Sequence, residues 1–359
     1  MEPQDLHIKL KELLEGHGFS HFGWARLSPA LSLTHYEKWL EDDFHGEMQY
    51  LKTHLPLKKN PDALLSNSGV PRNAESAIVV AVQYRPHPHP QKSPVENLKI
   101  ASYAKGADYH HWLYDRLQEV AKILRAEFSE EEFLCATDSK PVLERDLAYR
   151  AGLGWIGKNT MLIDQARGSF FLLGEIITTL KIPVVTPAGD AFHPDRCGTC
   201  TRCIDACPTG ALVQPMVMDA RKCISYLTIE SKNTPSLELR SKIGEHFFGC
   251  DICQDVCPWN KKIFSATTDA KVPPTAEKAP VDNQQLVSEL KWILESSNGV
   301  LEKELAMTPL ARARGFGLKR NAIVVAANLG LSELSKQIAS YVTDARLGEL
   351  ASWAIEQLH

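Results

Sequence analysis

The feature that most constrains this chain is the spacing of its cysteines. Eight of the nine cysteines lie between positions 197 and 257. The first group begins at Cys197 and reads C-x2-C-x2-C-x3-C-P, and the second begins at Cys250 and reads C-x2-C-x3-C-P. Three thiolates at successive x2 spacing wrap a tight loop, so we expect this stretch to enclose a bound metal group.

This spacing is typical of bacterial ferredoxins that hold two [4Fe-4S] clusters. In such a run the first three thiolates bind one cluster, and the fourth serves the other. The second group lacks one ligand, and Cys223 is the cysteine that remains in this stretch. We therefore predict two ligand sets, which are Cys197, Cys200, Cys203 and Cys257 for one cluster and Cys207, Cys223, Cys250 and Cys253 for the other.

Structural zinc is the alternative, because zinc also favours C-x2-C pairs. Three cysteines at successive x2 spacing before Cys-Pro favour iron–sulfur instead. The ninth cysteine, Cys135, lies in a predicted strand and is interpreted as a buried structural thiol. The chain start lacks a signal-peptide pattern, and apolar runs such as 77–82 are too short to span a bilayer, so we expect a cytoplasmic protein without a membrane partner.

Length and pattern indicate more than one domain. The 359 residues suffice for two or three domains, and a net charge of −4 excludes a global positive field while leaving room for a local basic patch. Residues 1–186 are predicted to form an α/β domain, because helical periodicity alternates with buried strand patterns. Residues 187–265 carry eight of the nine cysteines. Residues 265–280 have the composition of a linker, and residues 281–359 are helical and resemble one or two HEAT-like units.

A glycine-rich turn at 152–159 matches G-x-G-x-x-G. A predicted helix from Pro141 to Gly152 precedes it, where a dinucleotide fingerprint requires a strand, so we reject that function. We also reject a phosphate loop, because Asn159 stands where the magnesium-binding hydroxyl belongs. Two interpretations of this turn stay open. Its glycines could let a bulky ligand approach the backbone closely, or they could simply form a tight structural turn.

Asp138 also has two interpretations. It follows a predicted strand at 133–137 and precedes Pro141, where aspartate usually caps a helix. Alternatively, it is a carboxylic acid at the carboxyl end of a strand, where α/β active sites gather. The residues alone leave both interpretations open.

Five blocks of the sequence resemble epoxyqueuosine reductases. They are DSKPVLE (138–144), AGLGWIGKNT (151–160), FLLGEI (171–176), CISYLTIE (223–230) and FGCDICQDVCPWN (248–260). The resemblance covers nearly the whole chain. It implies an α/β cobalamin-binding domain, a ferredoxin-like domain with two [4Fe-4S] clusters and a HEAT-like helical domain. The cobalamin would be base-off and lie between the first two, and the chain accordingly lacks D-x-H-x-x-G.

The resemblance also implies an activity. The enzyme would reduce epoxyqueuosine to queuosine at the wobble position of tRNA with a GUN anticodon, which is the last step of queuosine biosynthesis. Asp138 would be the general acid that protonates the oxygen released from the epoxide, a role that requires a pKa raised by burial. The residues implied to line cobalamin are Ser102, Lys158, Ser225, Thr228 and Gln254.

The implied partners are tRNA and an electron donor such as ferredoxin or flavodoxin, with the protein acting as a monomer. A basic group in the helical tail would contact phosphates, and its members are Arg312, Arg314, Lys319 and Arg320. The alternative for this group is a solvated basic surface.

Three other functions compete with this one. An iron–sulfur electron-transfer module would contain no corrinoid. A cobalamin-dependent reductase of a small organic halide or epoxide would act without tRNA, as the related reductive dehalogenases do. A non-enzymatic RNA-binding protein would bind tRNA even with redox-silent clusters.

Overall fold

The computed structural model describes residues 2–85, 93–183, 195–261 and 283–359. It divides into two compact units. The first consists of the described residues within Met1–Phe44, Met48–Pro86 and Tyr109–Thr201, and the second of those within His45–Glu47, His87–Asp108 and Arg202–His359. The predicted linker and the predicted domain boundaries lie outside the described residues, so the division into three domains stays a prediction.

The secondary structure is mixed α/β. The strands are β1 Phe22–Arg26, β2 Ser76–Gln83, β3 Lys99–Ile100, β4 Phe133–Ala136, β5 Trp155–Ile156, β6 Leu162–Ile163, β7 Phe171–Thr178, β8 Leu212–Gln214, β9 Val217–Met218 and β10 His246–Phe248. The helices are α1 Pro3–Gly16, α2 Leu33–Glu41, α3 Tyr50–Thr53, α4 Leu55–Lys59, α5 Leu64–Asn67, α6 Tyr109–Glu127, α7 Glu144–Arg150, α8 Arg202–Asp205, α9 Ile224–Ile229, α10 Leu237–Ile243, α11 Ile252–Asp255, α12 Asn283–Glu295, α13 Asn298–Glu304, α14 Arg314–Asn328, α15 Ser335–Ala339 and α16 Gly348–Leu358. Among the described residues, no helix is both long and apolar enough to cross a membrane.

An antiparallel sheet in the order β1-β2-β7-β4 forms the centre of the first unit. Helix α6 packs against β4 and β7, while α7 packs against β1, β2 and β7. Because both sides are covered, β2 is a nearly continuous apolar run, with its residues from Ser76 to Ala81 buried. The strands predicted at 76–84, 133–137 and 170–180 are confirmed to within two residues.

The position of α7 corrects the sequence-based prediction. The helix begins at Glu144 rather than at Pro141, and its N-cap position is held by Leu143. Pro141 instead lies in a tight turn, in which the Val142 N–H donates to the Lys140 carbonyl at 2.8 Å. Asp138 precedes this turn in a left-handed conformation, with φ of +48°. The capping interpretation of Asp138 is therefore wrong.

The glycine-rich turn packs against its own hairpin, formed by β5 and β6. A Cβ on Gly154 would lie 2.2 Å from the Ile163 carbonyl oxygen, and a Cβ on Gly157 would lie 2.4 Å from the Ile163 side chain. The prediction that a helix precedes this turn is confirmed, since α7 ends at Arg150. At these two glycines the close approach comes from the chain itself, which supports the structural-turn interpretation.

The second unit combines cysteine-bearing segments with a helical tail. Helix α8, which carries Cys203, packs against α11, which carries Cys253. In the tail, α14 is buried along most of its length and contacts α12, α13 and α16. Leu286, Leu290 and Ile293 form one buried face of α12, as their spacing predicts. The likeness of this tail to HEAT repeats stays a prediction.

Candidate active site and cluster-binding segments

Asp138 presents a carboxylate at the end of β4. Its side chain is 68% exposed, and its Oδ2 accepts a hydrogen bond from the Tyr109 hydroxyl at 3.2 Å. The His110 Nε2 lies 3.8 Å from the same oxygen. Both partners come from the first turn of α6, so packing of that helix on β4 brings them to the aspartate. The carboxylate of Asp138 is therefore accessible to solvent, and the two side chains from α6 orient it.

The pKa of Asp138 lies below its usual value. The surrounding protein raises this pKa, but hydrogen bonding to His110 and the charge of its imidazole outweigh that effect, with help from Tyr109 and Arg145. The expected net rise in the pKa of Asp138 is therefore wrong, because the effect of burial is present but is outweighed by these neighbours. In this arrangement the group is ionised at neutral pH and must be given a proton before it acts as an acid.

Glu144 contacts Asp138 from the first turn of α7. Its Oε1 accepts the backbone N–H of Asp138 at 2.7 Å. Burial, together with the charge of Asp138, raises the pKa of Glu144 to about 8. Glu144 therefore holds a proton at neutral pH, directly beside an ionised neighbour.

Glu175 is a second carboxyl group whose pKa is raised. It lies on β7 opposite Val79 and Ala136, and it is fully buried. Among the described residues, neither of its carboxylate oxygens has a hydrogen-bond partner. Burial raises the pKa of Glu175 well above its usual value, and the charges of Glu144 and Asp138 add to the rise.

Two cations lie near these carboxyl groups. The Lys58 ammonium is buried and donates to the Val142 carbonyl at 3.0 Å, and burial lowers its pKa although the charges of Glu144 and Asp138 oppose this. Arg145 lies on the exposed side and donates to the Thr160 carbonyl at 3.0 Å. These cations moderate the repulsion among the carboxylates, and within the described part of the chain neither of them forms an ion pair with Glu175.

Glu144 and Glu175 are not singled out as candidate site residues by the sequence analysis. Both stood inside blocks that carried the family resemblance. A signal was available for Glu175, because a glutamate within the apolar run FLLGEIIT is a charged residue in a buried strand. Buried carboxyl groups without partners cost free energy, so they need an explanation beyond folding.

The four cysteines predicted for one cluster come together in the second unit. Burial, together with the charges of Cys223 and Cys207, raises the pKa of the Cys250 thiol to about 12. Cys253 interacts in the same way with Cys223 and Cys250, and also with Cys203 of the other predicted set. Within the described residues all of the cysteines are free thiols, and no group of three or more His, Cys, Asp or Glu is arranged to hold a single metal ion.

Backbone amides point at these sulfur atoms. The Ala211 N–H donates to Cys207 Sγ at 3.3 Å, and the Cys223 sulfur accepts hydrogen bonds from Ser225 and Tyr226. N–H donors around thiolates are a general feature of iron–sulfur sites, because they stabilise the negative charge on sulfur. The donor set of these four thiols therefore fits an iron–sulfur cluster.

The other predicted ligand set has members in both units. Cys197 and Cys200 belong to the first unit, whereas Cys203 and Cys257 belong to the second. In the first unit, Lys158 Nζ donates to the carbonyls of Gly198 at 2.6 Å and Cys200 at 3.0 Å. Lys158 thus holds the loop that carries the first two cysteines.

Four of the residues expected to line cobalamin lie on connected segments of the second unit. The Ser102 N–H donates to Asp251 at 2.6 Å, and the Gly249 N–H donates to the Thr228 hydroxyl at 2.9 Å. The Thr228 hydroxyl donates in turn within its helix, so it positions Gly249. Ser225 is half-buried beside Cys223, and Gln254 is buried one residue after Cys253.

The basic group of the tail does not form one surface. Arg312 is exposed and makes a two-point ion pair with Glu230, at 2.9 and 3.1 Å. Arg314 is exposed, and Lys319 lies 5.4 Å from the ring centre of Tyr341.

Arg320 corrects the prediction of a basic surface. Its side chain is fully buried and donates to the carbonyls of Ser231 and Asn233 and to the side chain of Asn321. Because these acceptors and the helix packing enclose the guanidinium, it is not available to a phosphate in this structure.

Two family models match the chain. One, described as a 4Fe-4S double cluster binding domain, matches residues 196–260. The other, described as epoxyqueuosine reductase QueG (DUF1730), matches residues 67–139 and so ends one residue after Asp138. The double-cluster match confirms the interpretation of the cysteine spacing as a two-cluster iron–sulfur domain.

The chain is also similar to proteins and structures along its whole length. It is 34% identical to the epoxyqueuosine reductase of Escherichia coli K12, over 99% of this chain and 91% of that protein. It is 37% identical to that of Pseudomonas aeruginosa, over 91% of this chain and 86% of that protein.

Solved structures agree with this similarity. An epoxyqueuosine reductase bound to an epoxyqueuosine-modified tRNA-Tyr stem loop superposes with a TM-score of 0.78 at 26% identity, covering 99% of this chain and 91% of that chain. The Bacillus subtilis epoxyqueuosine reductase, in a form whose catalytic aspartate loop is swung out of the active site, gives 0.75 at 27% identity, with the same coverage. The chain therefore belongs to the epoxyqueuosine reductase family.

Proposed function

We propose that this chain reduces epoxyqueuosine in tRNA to queuosine. The observation that carries the proposal is the 34% identity to a curated epoxyqueuosine reductase over 99% of the chain. The accessible carboxylate of Asp138 supports it, because this residue lies in a block that resembles the family and in a loop at the end of a strand. The substrate would be the modified wobble nucleotide of tRNA with a GUN anticodon.

The reaction fixes what the protein must supply. Two carbon–oxygen bonds of the epoxide break, a carbon–carbon double bond forms, and the oxygen leaves as water. This change consumes two electrons and two protons. We propose that Asp138 delivers a proton to the departing oxygen, as a positioned general acid.

The electrons would come from a reduced ferredoxin or flavodoxin and pass through two [4Fe-4S] clusters. The four thiols of Cys207, Cys223, Cys250 and Cys253 would hold one cluster. We assign the other cluster to the remaining ligand set, which is Cys197, Cys200, Cys203 and Cys257. Amides of residues 211, 225 and 226 would stabilise the thiolates of the first of these sets.

Cobalamin is also part of the proposal. When bound, it would supply a low-valent cobalt that reduces the epoxide. The connected segments that carry Ser102, Ser225, Thr228 and Gln254 fit this cofactor, because Ser225 and Gln254 lie directly beside cluster cysteines. Ser225 would contact the ligand with its side chain, while Thr228 would act by holding Gly249 in place.

Binding of tRNA would use the exposed cations of the tail. Arg312 and Arg314 are exposed, whereas Arg320 is excluded by its burial. The reacting base would leave the anticodon loop to reach Asp138, as enzymes that modify bases require. We place the enzyme in the cytoplasm and expect it to act as a monomer.

The experiment that tests this function uses reconstituted protein. The full chain is loaded anaerobically with iron, sulfide and cobalamin, given a reductant and incubated with tRNA that carries epoxyqueuosine, and the nucleosides are then analysed. We expect queuosine to appear with tRNA and no turnover of small organic halides. Protein that binds a corrinoid and holds reduced clusters yet yields no queuosine would contradict the proposal.

A further inference from the structure

We propose that Glu144 and Glu175 form a carboxyl relay that supplies protons to Asp138. Glu144 would pass a proton to the Asp138 carboxylate, and the Glu175 side chain, which makes no hydrogen bond among the described residues, would turn toward Glu144 to replace that proton. The inference rests on the proposed function and deepens it by naming positioning residues for the proton-transfer step. Asp138 alone would touch the substrate.

The first argument is the number of protons. Conversion of the epoxide to an alkene and water consumes two protons, while a carboxylic acid carries one. Asp138 is moreover held as a carboxylate by Tyr109 and His110. The site therefore needs a neighbouring group that holds a proton and lies within reach of Asp138.

The second argument is the geometry of the sheet. Side chains alternate between the two faces of a strand, so Gly174 and Glu175 face opposite sides of β7. Gly174 faces α6, because a Cβ on it would lie 2.9 Å from Leu117. Glu175 therefore faces the side that α7 covers, and α7 carries Glu144 in its first turn.

The third argument is that Glu175 has no structural role that explains its burial. It is 0% exposed, and within the described part of the chain both of its oxygens lack hydrogen-bond partners. A structural glutamate in a core is normally paired or hydrogen-bonded. An unpartnered acid beside two other carboxyl groups is instead suited to hold and release a proton.

The charged groups around the relay set its protonation. The charges of Asp138 and Glu144 oppose ionisation of Glu175, while the charges of Lys58 and Arg145 favour ionisation of Glu144. His110 lowers the pKa of Asp138 through a hydrogen bond and its charge. This arrangement keeps the negative charge on the exposed member and the protons on the inner members.

The structural part of the proposal is tested by infrared spectroscopy of the full chain without substrate. We expect the wild-type protein at neutral pH to show the C=O stretching band of a protonated carboxylic acid, and Glu175→Gln to lose part of it. The matched control is Glu75→Gln, which removes an exposed glutamate that immediately precedes β2. A spectrum without this band, or one unchanged in Glu175→Gln, overturns the proposal.

The kinetic part uses single turnover of epoxyqueuosine tRNA by the loaded enzyme. We expect the wild-type rate to fall as the pH rises through about 8, where Glu144 loses its proton. Glu144→Gln keeps an oxygen that can accept the Asp138 N–H but cannot donate a carboxyl proton. We expect it and Glu175→Gln to lower the rate by about tenfold or more with unchanged tRNA affinity.

The outcomes separate this inference from the proposed function. If the wild type makes queuosine and both glutamine variants match its rate and pH profile, the relay is wrong and the function stands. If the wild type makes no queuosine, the proposed function fails, and the infrared result alone decides whether a protonated carboxyl pair exists. Loss of tRNA binding in either variant would point to a merely structural role and overturn the relay.

Discussion

The backbone N–H of Asp138 donates a 2.7 Å hydrogen bond to the carboxyl group of Glu144. This bond ties the proposed acid to the first turn of α7 while Asp138 holds a left-handed backbone, with φ of +48°. Such a conformation costs on the order of 1 kcal/mol for a residue with a side chain, and the surrounding contacts must offset it. The Bacillus subtilis relative has been seen with its catalytic aspartate loop swung out.

We first predict that Asp138→Asn abolishes most of the conversion without weakening tRNA binding. Asparagine is isosteric but cannot donate a carboxyl proton, so the single-turnover rate should fall by about 10²- to 10⁴-fold. Rate and tRNA affinity are measured separately on the reconstituted enzyme. Unchanged turnover would remove Asp138 from the mechanism and leave the proposed function intact.

Second, stability should fall as the pH rises from about 5 to about 8. The folded state holds a proton on Glu144 up to a pKa of about 8, whereas an unfolded glutamate loses it near 4.3. The unfolded state therefore binds fewer protons over this range, and Glu144 contributes a downward slope of up to about 1.4 kcal/mol per pH unit that ends above pH 8.

Urea unfolding at several pH values tests this slope. Glu144→Gln should flatten the profile and gain stability relative to the wild type as the pH rises, whereas Glu75→Gln should not change its shape. A parallel profile in Glu144→Gln would show that Glu144 is ionised in the folded protein.

Third, we predict that Cys223→Ser removes one of two clusters. Iron should fall from about eight to about four atoms per chain after anaerobic reconstitution, because a [4Fe-4S] cluster needs four thiolates. Cys135→Ser is the control, since Cys135 is buried in β4 and is not assigned to a ligand set. Stoichiometric zinc in the wild type would contradict the iron–sulfur assignment.

Fourth, Arg320 and Arg314 should act differently although they lie in one helix. Arg320→Ala should destabilise the fold by about 3 kcal/mol, because it leaves the carbonyls of Ser231 and Asn233 without their donor. Arg314→Ala should leave stability unchanged and weaken tRNA binding, with a salt slope reduced by about one. If the two variants changed stability equally and tRNA affinity equally, the assignment of a structural role to Arg320 and a tRNA-binding role to Arg314 would be wrong.

Fifth, Gly154→Ala should destabilise the protein by about 3 kcal/mol or more. Its φ is +152°, and a Cβ would overlap the Ile163 carbonyl. Gly299→Ala is the control, because a Cβ there meets nothing within 4 Å. Thermal unfolding of the two variants measures the difference. Equal stability would show that the turn adapts.

Sequence alone located the candidate acid and most of the elements around it. The short apolar run 133–137 predicts a strand that ends just before Asp138, and the structure has β4 at Phe133–Ala136. The choice between cap and acid needed the structure, because it depends on where α7 begins. Pro141, three residues after Asp138, predicts a helix that begins at residue 141. In the structure Pro141 lies in a turn, and α7 begins three residues later at Glu144.

The amino-acid sequence by itself determined the cysteine segments and the strands, because short spacings and runs of apolar residues fix local backbone geometry without reference to distant parts. Only the tertiary structure decided which charged groups are buried. Glu175 and Glu144 are 31 positions apart and interact because α7 packs on β7. Arg320 is buried because other helices enclose α14. Burial and desolvation depend on which faces meet, and that is a property of the whole fold.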